Sequence, residues 1–118
     1  MGFAERFEDL KIWQDARALA NEIYRAMNSS RDFGFKDQIQ RAAVSVINNI
    51  AEGFERRTKK DFAHFLDLSK GSAGEVRSML YLGEDQKYVS PETASALRSR
   101  YLSLSTSIGA LASRLRNP

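Results

Sequence analysis

The chain has 118 residues, of which 42% are hydrophobic and 28% are charged, so its length suits one domain and its composition is typical of folded globular proteins. It contains no cysteine, which excludes disulfides, iron–sulfur ligation and cysteine-bound zinc. No apolar run approaches the ~20 residues of a membrane span, and the N-terminal segment is charged where a signal peptide would be apolar. The sequence therefore predicts a single cytoplasmic domain over residues 1–118 with no membrane contact.

The net charge of +3 is unevenly distributed along the chain. Residues 33–60 and 91–118 each carry a net charge of +3, whereas residues 1–32 and 61–90 are slightly negative. Any anionic partner is therefore expected at the second or fourth quarter of the chain.

Two amphipathic helices are predicted before residue 55, because apolar residues recur there at spacings of three and four. The first helix has Trp13, Ala16, Ala20, Ile23 and Met27 on its apolar face, which Leu10, Leu19 and Tyr24 widen. A loop is predicted over residues 28–34, from Asn28 to Gly34. The second helix has Ile39, Ala43, Val46, Ile50 and Phe54 on its apolar face.

Two further helices are predicted after the charged junction at residues 55–60. Thr58, followed three residues later by Asp61, is typical of a helix N-cap, and the apolar spacing then continues from Phe62 to a predicted end near Tyr88. Ser90 and Pro91 supply the next capping hydroxyl and a proline at the first helical position. The fourth apolar face consists of Ala94, Leu97, Tyr101, Leu104, Ile108, Leu111 and Leu115.

Four helices with short connections predict an all-α fold, an antiparallel up-and-down four-helix bundle. The chain has more bulky side chains than the apolar faces of four helices need. Aromatic residues are enriched at subunit interfaces. Several of the following are therefore expected at contacts between subunits: Phe3, Phe7, Phe33, Phe35, Phe54, Phe62, Phe65 and Tyr81.

Several stretches together resemble the four-helix bundle proteins of 23S ribosomal RNA intervening sequences. They are FEDLKIWQDA at residues 7–16, QIQRAAVSV at 38–46, NIAEGF at 49–54, RRTKKDF at 56–62, and GSA at 71–73 with Glu75. Two features depart from the family pattern, since Ile47 stands where the family usually has proline and the first loop lacks the usual Phe-Pro pair. Neither changes the apolar periodicity.

The resemblance implies a bundle that often assembles into a pentameric ring and has no established enzymatic activity in most members. Its relatives include accessory proteins of diversity-generating retroelements, which are basic partners of a reverse transcriptase and its nucleic acid. We therefore expect a non-catalytic homopentamer without a cofactor. Six residues are expected to be structural or interface residues: Trp13, Asn49, Glu52, Gly53, Phe62 and Gly71.

One cluster of cations is the candidate nucleic-acid-binding surface, because arginine and lysine neutralise phosphates. It consists of Arg41, Arg56, Arg57, Lys59 and Lys60. The alternative is a solvated helix junction, since Glu52, Glu55 and Asp61 partly compensate the charge. In the alternative function, the protein is an adaptor that binds only other proteins.

Three polar or glycine features have structural interpretations. The amide of Asn48 or Asn49 is expected to be partly buried and to fix helix register, and Glu52 to pair with Arg41 or Arg56. The glycines of the 71–74 stretch weaken a helix, so another helix backbone is expected to approach there.

His64 is the only histidine, with acidic residues three positions away on each side. Helical di-metal sites use a second histidine, so we expect an ordinary surface or interface histidine and no metal site. No nucleophile, base and orienting acid recur at a recognisable spacing, and the chain is not expected to be an enzyme.

Overall fold

The structure, a computed structural model, describes residues 4–118; Phe3 therefore lies outside the described residues. Four helices follow one another: α1 (Lys11–Met27), α2 (Phe33–Phe54), α3 (Lys59–Asp85) and α4 (Pro91–Arg116). A 3-10 turn, Phe7–Asp9, precedes α1. Each helix packs on the next, and α4 also packs on α1. The predicted up-and-down four-helix bundle is confirmed, with dimensions of 44 × 19 × 19 Å.

The two helix starts predicted from capping residues are confirmed. The Thr58 hydroxyl accepts a hydrogen bond from the Asp61 amide at 3.1 Å, and Ser90 accepts one from the Thr93 amide at 3.1 Å. At its other end α3 stops at Asp85, three residues before the predicted end. It stops there because Lys87 adopts a φ of 64°, and the amides of Lys87 and Tyr88 turn back to the carbonyls of Glu84 and Gly83.

The first loop is shorter than predicted, because α2 begins at Phe33 and includes Gly34. Asp32 starts the helix, since its Oδ1 accepts a hydrogen bond from the Phe35 amide at 3.1 Å. Its Oδ2 accepts a second hydrogen bond, at 2.6 Å, from the Tyr88 hydroxyl between α3 and α4. The cap itself is local, and the Tyr88 contact ties the start of α2 to the turn between α3 and α4.

The apolar side chains of all four helices form one core. The predicted α4 face is fully confirmed, because each of its seven residues is buried. The α1 face is confirmed except at Tyr24, which is 46% exposed. The largest fully buried apolar side chains are Tyr101, Ile23, Met27, Ile39, Ile50, Leu66, Leu80 and Ile108.

The bundle itself buries part of the aromatic surplus. Phe35 and Phe62 are core residues of this one chain, and Phe7 and Phe54 pack against the core. Their number therefore does not by itself indicate a subunit interface. Among the described residues of that surplus, Phe33 and Tyr81 remain exposed by 71% and 60%.

None of the helices in residues 4–118 is long and apolar enough to cross a membrane.

Candidate nucleic-acid interface

Four of the five predicted cations gather at one end of the bundle, on the hairpin formed by α2 and α3. The side chain of Arg116, the last residue of α4, contacts Asp67 of α3. The start of α3 at Lys59 lies eight residues before Asp67, at the same end of the bundle as the C-terminus of α4. We call Arg56, Arg57, Lys59 and Lys60 the basic tip, since they lie at the turn between α2 and α3.

Gly53 allows the two helices to meet closely just before the turn. A Cβ atom on Gly53 would lie 2.7 Å from the Phe65 Cβ and 3.0 Å from the Phe62 Cδ1. Phe62 is buried and packs edge to face on Phe54, with ring centroids 5.9 Å apart. Gly53 and Phe62 therefore hold the hairpin together, in line with the structural role expected of them.

Arg56 is the one cation of the basic tip with partners among the described residues. Its Nη2 donates a hydrogen bond to Glu52 Oε1 at 2.9 Å, and its guanidinium carbon lies 4.6 Å from the centre of the Phe65 ring. Of the two pairings that the sequence left open for Glu52, the structure shows the one with Arg56.

The other three cations of the basic tip are exposed, and none forms an ion pair with a residue in the range 4–118. Lys59 and Lys60 are the first two residues of α3, where the helix dipole opposes positive charge by about 0.3–1 kcal/mol each. Helix stability therefore does not explain why lysines occupy these positions.

Arg41 does not belong to the basic tip, which corrects the expectation that it shares one surface with the junction. It lies about 20 Å from the C-terminal end of α2, at ~1.5 Å per residue. Its Nε donates instead to Asp37 Oδ2 at 2.8 Å, one turn away on the same helix. Periodicity alone could have placed it there, because the C-terminal end of α2 is recognisable in the sequence.

Most of the positive charge of residues 91–118 is neutralised by ion pairs within the bundle. Arg98 pairs with Glu84 and lies over the Tyr81 ring, Arg100 pairs with Glu22, and Arg116 pairs with Asp67. The Arg116 hydrogen bond is the main cause that lowers the pKa of Asp67. Arg114 is the one cation of α4 without an ion-pair partner among the described residues.

Asn49 has the structural role that the sequence favoured for it. The half-buried Nδ2 donates to the carbonyl and the hydroxyl of Ser45, each at 2.9 Å, while Asn48 is exposed. The Ser45 hydroxyl lies 2.9 Å from the Ser72 hydroxyl of α3. This chain of hydrogen bonds links α2 to α3 at one register.

Trp13 is half-buried at the start of α1. Its ring centroid lies 5.2 Å from that of Phe7, and the Arg17 guanidinium lies 5.6 Å from the ring centre. Trp13 thereby ties the segment before α1 to the bundle, a structural role.

No helix among the described residues makes the close approach expected at the glycines of α3, and an approach by a second subunit stays a prediction. A Cβ on Gly71 or Gly74 would meet no atom of the described chain within 4 Å, so no helix of this chain approaches them. They lie instead on the outer surface of α3, together with exposed Leu68, Tyr81 and Leu82. The sequence pattern could show that the glycines weaken the helix but not which way they face.

His64 is exposed beside the Phe65 ring, with ring centroids 5.7 Å apart. Among residues 4–118, no three histidine or acidic side chains come close enough to hold a metal ion. Of the two acids near His64 in sequence, Asp67 is bound by Arg116.

Phe65 is the residue of this site that sequence reasoning missed. It entered the analysis only as part of the aromatic surplus, although it packs under Arg56. The two residues lie on either side of the turn, so only the folded hairpin brings them together.

Comparisons with known proteins address the family and the fold. Residues 8–110 match the family model described as 23S rRNA-intervening sequence protein. The chain is also similar to a crystal structure from Bacteroides thetaiotaomicron, a protein with unknown function from the S23 ribosomal protein family. That match has a TM-score of 0.80 at 20% identity and covers 86% of this chain and 97% of the other, which supports the fold alone. No curated protein matches the sequence. Since the family model spans most of its length, the chain belongs to the 23S rRNA-intervening sequence protein family.

Proposed function

We propose that this protein is a non-catalytic, cytoplasmic accessory protein that binds the backbone of nucleic acids through the basic tip. The observation that carries the proposal is the set of three exposed cations, Arg57, Lys59 and Lys60, that have no ion-pair partner among the described residues at the turn between α2 and α3. Two of them, Lys59 and Lys60, oppose the dipole of the helix they begin. Charges that cost stability and have no partner within the chain favour a partner outside it.

The chemistry of the basic tip suits phosphates and not base edges. Arginine and lysine both neutralise phosphate charge, and phosphate contacts alone carry no sequence information. Four cations that each neutralise one phosphate give a slope of about −3.6 for log affinity against log salt on duplex DNA. Binding is therefore expected to be weak for one tip, nonspecific and steeply salt-dependent.

We further propose that the protein forms a homo-oligomer, with a pentameric ring as the first choice because the family resemblance implies one. Several tips on one ring would act on the same nucleic acid and raise its apparent affinity. Exposed Phe33 and Tyr81 provide apolar area for subunit contacts. Light scattering tests the assembly: a mass of 13.3 kDa at every micromolar concentration would exclude the ring.

A nucleic-acid enzyme is the protein partner that fits this function, and a reverse transcriptase is the first candidate if the chain resembles the retroelement accessory proteins in function as well as in sequence. A reverse transcriptase gene beside the gene of this protein would support that partner.

The outer surface of α3 favours a second candidate function, that of an adaptor which binds only proteins. Leu68, Tyr81 and Leu82 are exposed there beside two glycines that no helix of this chain contacts. In that case the cations of the basic tip are merely solvated. Partner binding that is insensitive to salt would favour the adaptor.

The test is a fluorescence-anisotropy titration of duplex and single-stranded RNA and DNA at several salt concentrations. Charge reversal of the whole basic tip to glutamate is expected to abolish binding while the helical circular dichroism is retained. The pair Lys59→Glu and Lys60→Glu has a matched control in Arg31→Glu and Lys36→Glu, an equal charge change at the opposite end of α2. The proposed role of the basic tip would be refuted if the wild type did not bind at low salt. It would also be refuted if the Lys59 and Lys60 variant and its control variant lost the same binding affinity.

A further inference from the structure

We infer that Arg56 is the positioned phosphate-binding side chain of the basic tip, and that Phe65 and Glu52 are the residues that position it. The inference rests on the proposed function and goes further by separating the roles of the four cations. Arg56 would make an oriented guanidinium contact to a phosphodiester, whereas Arg57, Lys59 and Lys60 would supply mobile charge.

Two contacts from different directions restrain the Arg56 guanidinium. Its carbon lies 4.6 Å from the centre of the Phe65 ring, on α3, and its Nη2 lies 2.9 Å from Glu52 Oε1, on α2. A planar guanidinium stacks on aromatic rings and keeps a fixed set of donors, which a lysine ammonium cannot reproduce. The two contacts thus restrain the position of the group before any ligand arrives.

The restrained group keeps hydrogen-bond donors for a ligand. Arginine has five N–H donors, and only Nη2 has an acceptor among the described residues. Nε and Nη1 are left to donate. Since Arg56 is 45% exposed in its side chain, a phosphate can reach these donors from solvent.

Gly53 makes the arrangement possible. The missing side chain at Gly53 lets the Phe65 Cβ come so near that a Cβ there would be only 2.7 Å away. The close crossing holds Phe65 of α3 beside the C-terminal end of α2, where Arg56 follows. The side chains of Arg57, Lys59 and Lys60 lack such contacts and lose rotamer freedom when they bind.

The experiment compares the same conservative change at two adjacent arginines. Arg56→Lys and Arg57→Lys both keep the charge, so a surface that acts by charge alone would bind a fluorescent duplex equally well in both. We expect Arg56→Lys to weaken binding roughly three- to tenfold, the range expected when a mobile side chain must be ordered on binding and the fixed set of donors is lost. Arg57→Lys should stay within about twofold of wild type, because its side chain has no partner to lose.

Phe65→Leu provides the second measurement, because it removes the aromatic face and keeps an apolar side chain. We expect it to weaken binding about as much as Arg56→Lys, and the double variant to lose little more, since both changes remove one interaction. Thermal melting of each variant shows whether the hairpin remains folded. In the free protein, ¹⁵N relaxation of the arginine Nε groups should show Arg56 to be more ordered than Arg57.

The outcomes separate the two proposals. If wild type does not bind at low salt, the proposed function and this inference both fail. If wild type binds and the charge-reversed tip does not, but Arg56→Lys and Arg57→Lys behave alike, only this inference is overturned. Equal Nε order at the two arginines overturns it as well.

Discussion

Alanine substitutions at three glycines should change stability in opposite directions, although all three glycines lie inside helices. Gly71 and Gly74 of α3 have open space where a Cβ would be, whereas Gly53 of α2 has the Phe65 Cβ at 2.7 Å. Glycine in a helix costs about 1 kcal/mol relative to alanine. Gly71→Ala and Gly74→Ala together should therefore stabilise the bundle by about 2 kcal/mol.

Gly53→Ala gains the same helix propensity but forces two backbone-attached carbons apart. Overpacking of this kind costs typically ~1–3 kcal/mol, and here the far atom is not the end of a flexible side chain that can move away. The gain of about 1 kcal/mol is therefore outweighed. We expect a net loss of stability of about 1 kcal/mol.

The assay is urea unfolding monitored by circular dichroism. The urea concentration at half unfolding is compared between variants whose unfolding free energy depends on urea with the same slope. Light scattering at the same concentrations is the control for association, since a subunit contact at the outer surface of α3 would also respond to the changes at Gly71 and Gly74. Stabilisation by Gly53→Ala equal to that of the other two would refute the close crossing of α2 and α3. If the Gly71→Ala and Gly74→Ala variant is not stabilised although its mass in light scattering is unchanged, the two glycines are not exposed as described.

Three further predictions follow from single side chains. The Tyr101 hydroxyl is fully buried without a hydrogen-bond partner among the described residues, so Tyr101→Phe should stabilise the protein by about 1–3 kcal/mol in thermal or urea unfolding. Leu104→Asp places an unpaired charge in the α4 core and should cost more than about 4 kcal/mol, enough to abolish the cooperative melting transition. The hydrogen bond from the Tyr88 hydroxyl, followed by that from the Phe35 amide, lowers the pKa of Asp32 below 3.8. Ionised Asp32 therefore stabilises the folded protein above pH 3.8, and this stabilisation is lost as the pH falls through the lowered pKa. Tyr88→Phe should therefore make the free energy of unfolding fall less steeply as the pH is lowered into the acid range. An unchanged pH dependence would contradict the contact between Tyr88 and Asp32.

The sequence was most informative where one local rule decides the structure. Thr58, Ser90 and Pro91 determine helix starts through their own backbone neighbours, and the structure confirms the two starts predicted from them. The apolar spacing of α4 is likewise sufficient to identify its core face. These features involve residues at most a few turns apart, so no knowledge of the packed bundle is needed.

The sequence was least informative where a contact crosses the bundle. The Tyr88 hydroxyl that donates to the Asp32 cap lies far away in sequence, so the residues around Asp32 do not indicate this contact. The direction in which Gly71 faces, and the packing of Arg56 on Phe65, also depend on which helix is adjacent. Periodicity places a residue on a face but does not identify the neighbour of that face.

The start of α3 combines features that favour a helix with two that oppose it. The Thr58 cap, Asp61 in the first turn and buried Phe62 all stabilise this helix end, while Lys59 and Lys60 oppose its dipole. Where local choices conflict in this way, the unfavourable ones tend to mark a functional site. Here the conflict lies at the residues to which we assign phosphate binding. Because the cap and the buried ring do not depend on Lys59 and Lys60, the charge at these two positions can change while the fold is kept, so their effects on binding and on stability can be measured separately.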